Sequence, residues 1–257
     1  MTLKSSLPAR LSRGECILGA TLLIPSPHLV EMVGHAGFDC LMIDQEHAPA
    51  SIETVEGLVR AADAVRLPAL VRVPRNAPEA IMGVLDLGAC GVVVPHVETE
   101  EAALAAVRAT RFPPEGIRGL CPSVRGAEYG GTTWATYSAN VLDQTAVIPI
   151  IEDREGVRSI DRILAVEGLT AVLIGTVDLA ASLGVPGQVT HETVCHAAET
   201  VLESARTRGI PVGMVVYDGR ELKTVDTWLK NGVRLFLLSL TGSIVRMLRE
   251  VRSLISP

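Results

Sequence analysis

The chain has 257 residues, of which 48% are hydrophobic, and its formal net charge is −6. This apolar content is sufficient for one large domain over residues 1–257, and the acidic balance argues against a nucleic acid partner. No apolar run approaches the roughly 20 residues of a membrane-spanning helix, and the N-terminus lacks the apolar core of a signal peptide. We therefore expect no membrane partner and a cytoplasmic location, in which the five widely spaced cysteines remain reduced.

Short apolar runs rich in β-branched residues alternate along the chain with segments of helical length, which is typical of repeated β–α units. The eight predicted strands cover residues 16–21, 38–44, 69–74, 91–97, 146–153, 171–176, 211–216 and 234–240. The predicted helices cover residues 51–65, 78–88, 99–110, 154–168, 191–209, 219–232 and 242–256. Eight such units predict a single-domain (β/α)8 TIM barrel. A doubly wound sheet is the main alternative, but no Gly-x-Gly-x-x-Gly motif follows the first strand.

The longest interruption of this rhythm is residues 112–145, between the fourth and fifth predicted strands. It contains two of the three tyrosines and one of the two tryptophans. Long excursions in compact domains are usually functional loops, so we expect an active-site lid or an interface here.

Polar side chains stand at the predicted carboxyl ends of the strands, which form the active-site face of such a barrel. The second strand runs into Asp44, Glu46 and His47, where an imidazole beside carboxylates is suited to proton transfer near neutral pH. For Asp44 or Glu46 alone, a cap for the helix that starts near Ser51 is the simpler interpretation. The other five histidines, including His96 at the end of the fourth strand, are predicted to be structural.

Three further charged residues lie at or near strand ends. Arg72 interrupts an apolar third strand, and a buried guanidinium requires an anion. An internal pair with Asp44 or Asp86 and a bond to a substrate carboxylate both remain open. Glu152 lies at the end of the fifth predicted strand, and Asp178 follows the sixth. These two acids either cap helices or converge on Mg²⁺ or Mn²⁺, which prefer oxygen ligands.

Several linked motifs resemble the HpcH/HpaI aldolases over residues 14–213. They are GFD at 37–39, DQEHAP at 44–49, VRV at 71–73, VLDLGA at 84–89, FPP at 112–114, RG at 118–119, IE at 151–152, G at 175 and DLAASLG at 178–184. The resemblance implies a metal-dependent class II aldolase, a carbon–carbon lyase that acts through the enolate of pyruvate or a related 2-oxo acid. Its small-molecule partners would be the 2-oxo acid and an aldehyde.

The resemblance also implies roles for individual residues around the substrate. Glu152 and Asp178 correspond to ligands of a divalent metal ion, for which Mg²⁺ and Mn²⁺ are the candidates and Co²⁺ a further one. Arg72 corresponds to the clamp on the 2-oxo acid, and Gly175 and Thr176 to further substrate contacts.

For proton transfer, the resemblance implies His47 as the catalytic base, with Asp44 and Asp86 supporting it. In the cleavage direction this base accepts the proton of the 4-hydroxyl group as the bond between the third and fourth carbons breaks. The resemblance further implies a homo-oligomer, a hexamer or another trimer-based assembly, in which the C-terminal helix is exchanged between subunits.

The sequence departs from many aldolases of this family in four places. Ile150 stands where Gln is common, Gln45 where Gly is usual, and Thr176 where Pro is usual. The last predicted strand, at residues 238–240, lacks the acid that is often found there. These departures leave two alternatives to the aldolase. One is a siderophore-type citrate synthase that condenses oxaloacetate with acetyl-CoA on the same scaffold, and the other is a catalytically silent barrel that serves in binding or assembly.

Overall fold

The computed structural model describes residues 6–217 and 225–255. Eight parallel strands pair in sequence order and close into a barrel. The strands are β1 Ile17–Leu22, β2 Cys40–Asp44, β3 Ala69–Arg72, β4 Gly91–Val94, β5 Ala146–Ile151, β6 Val172–Ile174, β7 Val212–Val216 and β8 Val233–Ser239. All eight predicted strands are present, so the predicted (β/α)8 TIM barrel is confirmed.

Helices surround the barrel. Their bounds are α1 Leu7–Ser12, α2 Pro27–His35, α3 Ile52–Ala64, α4 Pro78–Asp86, α5 Glu100–Thr110, a 3₁₀ helix Arg125–Gly130, α6 Trp134–Gln144, α7 Arg154–Arg158, α8 Ile160–Ile163, α9 Thr176–Ser182, α10 Glu192–Arg208, α11 Val225–Lys230 and α12 Leu240–Ser253. The helix predicted over 154–168 is two short helices. Of the helix predicted over 219–232, residues 225–230 form α11, and residues 219–224 lie outside the described residues. None of the described helices has the length and apolar content needed to cross a membrane.

Side chains alternate between two apolar cores along each strand. In β1, Ile17 belongs to the cluster inside the barrel, whereas Ala20 and Leu22 belong to the cluster between the barrel and its helices. Both faces of a parallel strand are therefore apolar, which is why the strands read as nearly continuous hydrophobic runs. Polar residues in phase with the inner core, such as Asp44 and Arg72, consequently point into the barrel.

The excursion over 112–145 packs beside the amino ends of the strands rather than over their carboxyl ends. Arg125 donates to the carbonyl oxygen of Leu87 at 2.8 Å, just beyond the end of α4. The rings of Phe112 and Trp134 meet edge to face, with their centroids 4.8 Å apart. The prediction of a lid over this chain's own active-site face is therefore wrong, and the prediction of an interface stays a prediction.

Candidate active site

Charged side chains from several strand ends converge at the carboxyl end of the barrel. The register of β2 and β3 places Asp44 opposite Arg72. Arg72 Nε donates to Asp44 Oδ1 at 3.1 Å, and Arg72 Nη2 donates to Asp44 Oδ2. Because the Asp44 side chain is fully buried, this bidentate pair supplies the anion that a buried guanidinium requires. Of the two internal partners predicted for Arg72, Asp44 and Asp86, Asp44 forms the ion pair in the structure.

The Arg72 guanidinium has donors left after this pairing. Its Nη1 atom lies 3.1 Å from Glu46 Oε2, and its side chain keeps 14% of its surface exposed. Two of the five guanidinium N–H groups are hydrogen-bonded, both to Asp44, because the contact of Nη1 with Glu46 Oε2 is an ion pair without hydrogen-bond geometry. The other three N–H groups have no hydrogen-bond partner among the described residues.

Asp44 also shapes the loop that carries the first histidine. Its Oδ1 atom accepts the main-chain N–H groups of Glu46 at 2.9 Å and His47 at 3.2 Å. Asp44 therefore both closes a turn and pairs with Arg72, so the structural and functional interpretations coexist. The His47 ring is 57% exposed, and its Nε2 atom lies 3.8 Å from Glu46 Oε2. Asp44 thus holds the backbone of His47, not its imidazole.

A second histidine, His96, lies between two carboxylates of this site. Its main-chain N–H donates to Glu152 Oε1 at 2.8 Å, and its Nδ1 atom lies 3.3 Å from the same oxygen. Its Nε2 atom lies 3.4 Å from Glu46 Oε1. The backbone of His96 is left-handed, with a φ of 52°, which is uncommon outside glycine. The sequence predicts a structural role for His96, although the position of this residue at the end of β4 is the signal for its place in the site.

Glu152 is a buried carboxylate in an acidic environment. Burial raises the pKa of the Glu152 carboxyl above its ordinary value, and the charges of Glu46 and Asp178 raise it further, against the hydrogen bond from His96. The chain leaves room for this carboxylate through Gly175, because a Cβ atom there would lie 2.8 Å from Glu152 Oε2. Gly175 is therefore a steric requirement of the site.

Asp178 lies in the first turn of α9, which begins at Thr176 directly after Gly175. It is exposed at the mouth, and its charge acts on Glu152. Within the described parts of the chain, no group of three or more His, Cys, Asp or Glu side chains is arranged to hold a metal ion. A pair of carboxylates that leaves the other positions to water and substrate oxygens suits Mg²⁺ or Mn²⁺. The Glu152 carboxylate is buried, and the negative charges of Glu46 and Asp178 act on it, so a cation at this place would offset charge and these residues fit such an ion.

Asp86 lies at the other end of the barrel. It is the last residue of α4, which precedes the amino end of β4, and its Oδ1 atom accepts a hydrogen bond from Arg118 Nη2 at 2.7 Å. The same nitrogen donates to the Tyr137 hydroxyl at 3.0 Å. Within one chain, the structure does not bring Asp86 to His47, so its expected support of that base is not present here.

Comparisons with known proteins agree with this architecture. Residues 22–243 match the family model described as HpcH/HpaI aldolase/citrate lyase. A 5-keto-4-deoxy-D-glucarate aldolase of Klebsiella pneumoniae subsp. pneumoniae is 38% identical over 207 residues, which is 80% of each chain. A crystal structure of an HpcH/HpaI aldolase/citrate lyase family protein from Burkholderia cenocepacia J2315 is 35% identical, covers 98% of this chain and 99% of its own, and superposes with a TM-score of 0.91.

The structure of the citrate synthase SbnG is also similar. It is 33% identical, covers 96% of both chains and superposes with a TM-score of 0.87. The match to named aldolases confirms the prediction of a carbon–carbon lyase of the class II aldolase type. The chain therefore belongs to the HpcH/HpaI aldolase/citrate lyase family.

Proposed function

We propose that the protein cleaves or forms a 4-hydroxy-2-oxo acid through the enolate of a pyruvate-type 2-oxo acid. The observation that supports this most directly is the placement of Arg72, with three N–H groups that have no hydrogen-bond partner among the described residues, in the same barrel mouth as the buried Glu152 carboxylate. A cationic clamp beside a carboxylate pair provides separate contacts for the two ends of a 2-oxo acid, its carboxylate and its keto oxygen.

In this proposal Glu152 and Asp178 hold a divalent cation, Mg²⁺ or Mn²⁺, which when bound supplies positive charge for the enolate oxygen. Arg72 binds the 2-oxo acid through its free N–H groups and is itself oriented by Asp44. Gly175 and Thr176, at the start of α9, lie where the substrate would pass beside Glu152.

Proton transfer is assigned to the two exposed imidazoles. His47 is proposed as the base for the 4-hydroxyl proton, acting through a water molecule, because its ring is 57% exposed to the mouth. His96 is proposed as a positioning residue, because its main-chain N–H fixes Glu152 and its ring contacts Glu46. Glu46 lies between the two rings, with its Oε2 atom 3.8 Å from His47 Nε2 and its Oε1 atom 3.4 Å from His96 Nε2.

Exchange of the pyruvate methyl protons for deuterium, followed by NMR, tests enolate formation without any aldehyde. We expect exchange with Mg²⁺ or Mn²⁺ that EDTA abolishes. Glu152→Gln and Asp178→Asn should abolish it as well. Glu155→Gln is the matched control, because Glu155 is exposed on α7 and pairs only with Arg158 within the described residues. Persistent exchange in either metal-site variant would refute the assignment.

A citrate synthase is the second candidate, supported by the similarity to SbnG along nearly the whole chain. It would condense oxaloacetate with acetyl-CoA, so release of the coenzyme A thiol on mixing both with the protein distinguishes it from the aldolase. A silent barrel would show neither thiol release nor pyruvate exchange. The expected cytoplasmic location stays a prediction.

The proposed assembly is a homo-oligomer with an exchanged C-terminal helix, either a hexamer or another trimer-based form. Helix α12 buries none of its residues in this chain. Met247, Leu248 and Val251 on it are each more than half exposed. An apolar helix face of this kind supports packing against a neighbouring subunit.

A further inference from the structure

A cavity of about 830 Å³ lies at the amino end of the barrel, opposite the candidate active site. Pro68, Cys90 and Thr145, which directly precede β3, β4 and β5, border it on one side, and the excursion over 112–145 borders it on the other. Among the described residues that line this cavity, none belongs to the barrel mouth. Its volume is within the range of about 300–1,000 Å³ that is typical of small-molecule sites.

Arg118 borders this cavity and lacks hydrogen-bond partners for part of its guanidinium. Its side chain is only 1% exposed. Its Nη2 atom donates to Asp86 Oδ1 at 2.7 Å and to the Tyr137 hydroxyl at 3.0 Å, whereas Nε and Nη1 have no hydrogen-bond partner in the described parts of the chain. Unpaired donors on a buried charged group are costly, so they require an explanation. Because Nε is enclosed by the protein, Nη1 is the donor that a molecule in the cavity can reach.

The aromatic neighbours of Arg118 do not supply this missing partner. The centre of the guanidinium lies 4.9 Å from the centroid of the Phe112 ring and 5.9 Å from that of the Tyr137 ring. Such contacts stabilise the positive charge through the face of the guanidinium. The N–H groups lie in its plane and still need an acceptor.

The Tyr137 hydroxyl is a second donor on the same cavity. Its oxygen accepts the hydrogen bond from Arg118, and its own hydrogen has no acceptor among the described residues. Burial raises the pKa of the Tyr137 hydroxyl, so the group stays protonated at neutral pH and can donate. Two neighbouring donors therefore converge where the chain offers them no acceptor.

The remaining lining is apolar inside and charged at the rim. Leu7, Leu85 and Val141 are buried and form apolar walls. Arg66 and Glu128 are exposed at the rim, and neither side chain has an ion pair within the described residues. Both have left-handed backbones, with φ values of 57° and 53°, which are uncommon outside glycine. An apolar cavity with two converging donors suits a ligand that combines an apolar part with an acceptor group.

We propose that this cavity is a second binding site, separate from the barrel mouth, for an organic carboxylate. Its carboxylate oxygens accept from Arg118 Nη1 and from the Tyr137 hydroxyl, and its apolar part lies against the apolar walls. An ionised carboxylate presents only acceptors and forms charge-assisted hydrogen bonds with a guanidinium, which is why it fits better than an alcohol or an amide. The site does not depend on the proposed aldolase reaction.

Binding of benzoate and of hexanoate, a flat and a flexible carboxylate, tests this site, with benzamide as the neutral analogue of benzoate. Trp134 supplies a local readout, because its ring centroid lies 6.1 Å from that of Tyr137. The protein has one other tryptophan, Trp228, so fluorine NMR of the protein labelled with fluorinated tryptophan can be assigned with Trp228→Phe. We expect benzoate to shift the Trp134 resonance and benzamide to bind about tenfold more weakly.

Tyr137→Phe removes the hydroxyl and keeps the ring, and it should raise the Kd for benzoate by about three- to tenfold. Tyr129→Phe is the matched control. It removes the hydroxyl of an exposed tyrosine in the same excursion, which contacts Arg60 and does not border the cavity, so the Kd should not change. Arg118→Lys keeps the charge but not the planar donors, and it should weaken binding as well. The tyrosine pair decides the test even when the Arg118 variant fails to fold.

Equal binding of benzoate and benzamide would overturn the assignment to a carboxylate. The site itself would be refuted by equal benzoate affinities of Tyr137→Phe and Tyr129→Phe, or by a Trp134 resonance that neither benzoate nor hexanoate shifts. Pyruvate methyl exchange reports on the mouth alone, so failure of the aldolase proposal is distinguishable from each of these outcomes.

Discussion

Replacing Arg72 with methionine tests whether the buried ion pair organises the mouth. The side chain of Asp44 is fully buried and that of Arg72 is 14% exposed, so the variant leaves a carboxylate buried without its cation. Removal of one partner of a buried pair costs about 3–5 kcal/mol. For a domain of this size we expect the melting temperature to fall by roughly 6–20 °C, using about 2–4 °C for each kcal/mol.

The double variant Arg72→Met with Asp44→Asn sharpens this prediction. A neutral amide in place of the Asp44 carboxylate removes the uncompensated charge but keeps the two main-chain hydrogen bonds from Glu46 and His47. Most of the lost stability should therefore return. Pyruvate exchange should remain absent in both variants, because the proposed clamp is missing in each.

Calorimetry supplies the melting temperatures and NMR supplies the exchange. The matched control is Arg206→Met, which breaks an exposed pair with Glu203 at 2.7 Å and should barely change the melting temperature. If Arg72→Met were as stable as this control, or if adding Asp44→Asn to it lowered the melting temperature further instead of restoring it, the pair would not have the role described here.

Three further predictions concern the site and the assembly. Because burial raises the pKa of Glu152, protonation of this carboxyl stabilises the metal-free fold, and the stabilisation is lost as pH rises through the folded-state pKa. Without metal, Glu152→Gln should therefore have a higher melting temperature than wild type at neutral pH. Calorimetry at several pH values should show that this difference disappears in acid. Gly175→Ala should abolish the rise in melting temperature caused by Mg²⁺, because the new Cβ atom displaces the carboxylate, whereas Gly57→Ala, with no atom within 4 Å of the added carbon, should leave that rise intact. Leu248→Glu on α12 should yield a smaller species in sedimentation velocity, whereas Leu104→Glu, at a 45% exposed position on α5, should not.

The barrel was predictable because its strands are covered on both faces. Each strand is an apolar run, and the neighbouring helices are bounded by cap residues and glycine. Eight such β–α repeats are compatible with few arrangements of the strands in a sheet. The pairing of Asp44 with Arg72 was partly predictable for the same reason. A charge in phase with an inner core needs a partner, and the neighbouring strand offers one.

The sequence does not predict the contacts that Glu46 and His96 make in the site. His96 meets Glu152 across 56 positions of chain, and that meeting depends on strand register and on the left-handed backbone at His96. The position of Asp86, in contrast, follows from the sequence. The helix predicted over 78–88 places this residue near the end of a helix and not at the end of a strand. The aromatic cluster of the excursion was visible as composition, but composition does not say which end of the barrel it covers.

The charges at the barrel mouth are unbalanced, and this imbalance links binding to stability. Four carboxylates meet there, those of Asp44, Glu46, Glu152 and Asp178, and the Arg72 guanidinium neutralises only part of their charge. The pair of Arg118 and Asp86 at the other end is balanced, with one cation for one anion. Burial of excess negative charge costs stability unless a cation offsets it. A bound divalent cation should therefore stabilise the fold through the mouth alone, and the rise in melting temperature with Mg²⁺ should persist when Asp86 is replaced by asparagine but not when Glu152 is replaced by glutamine.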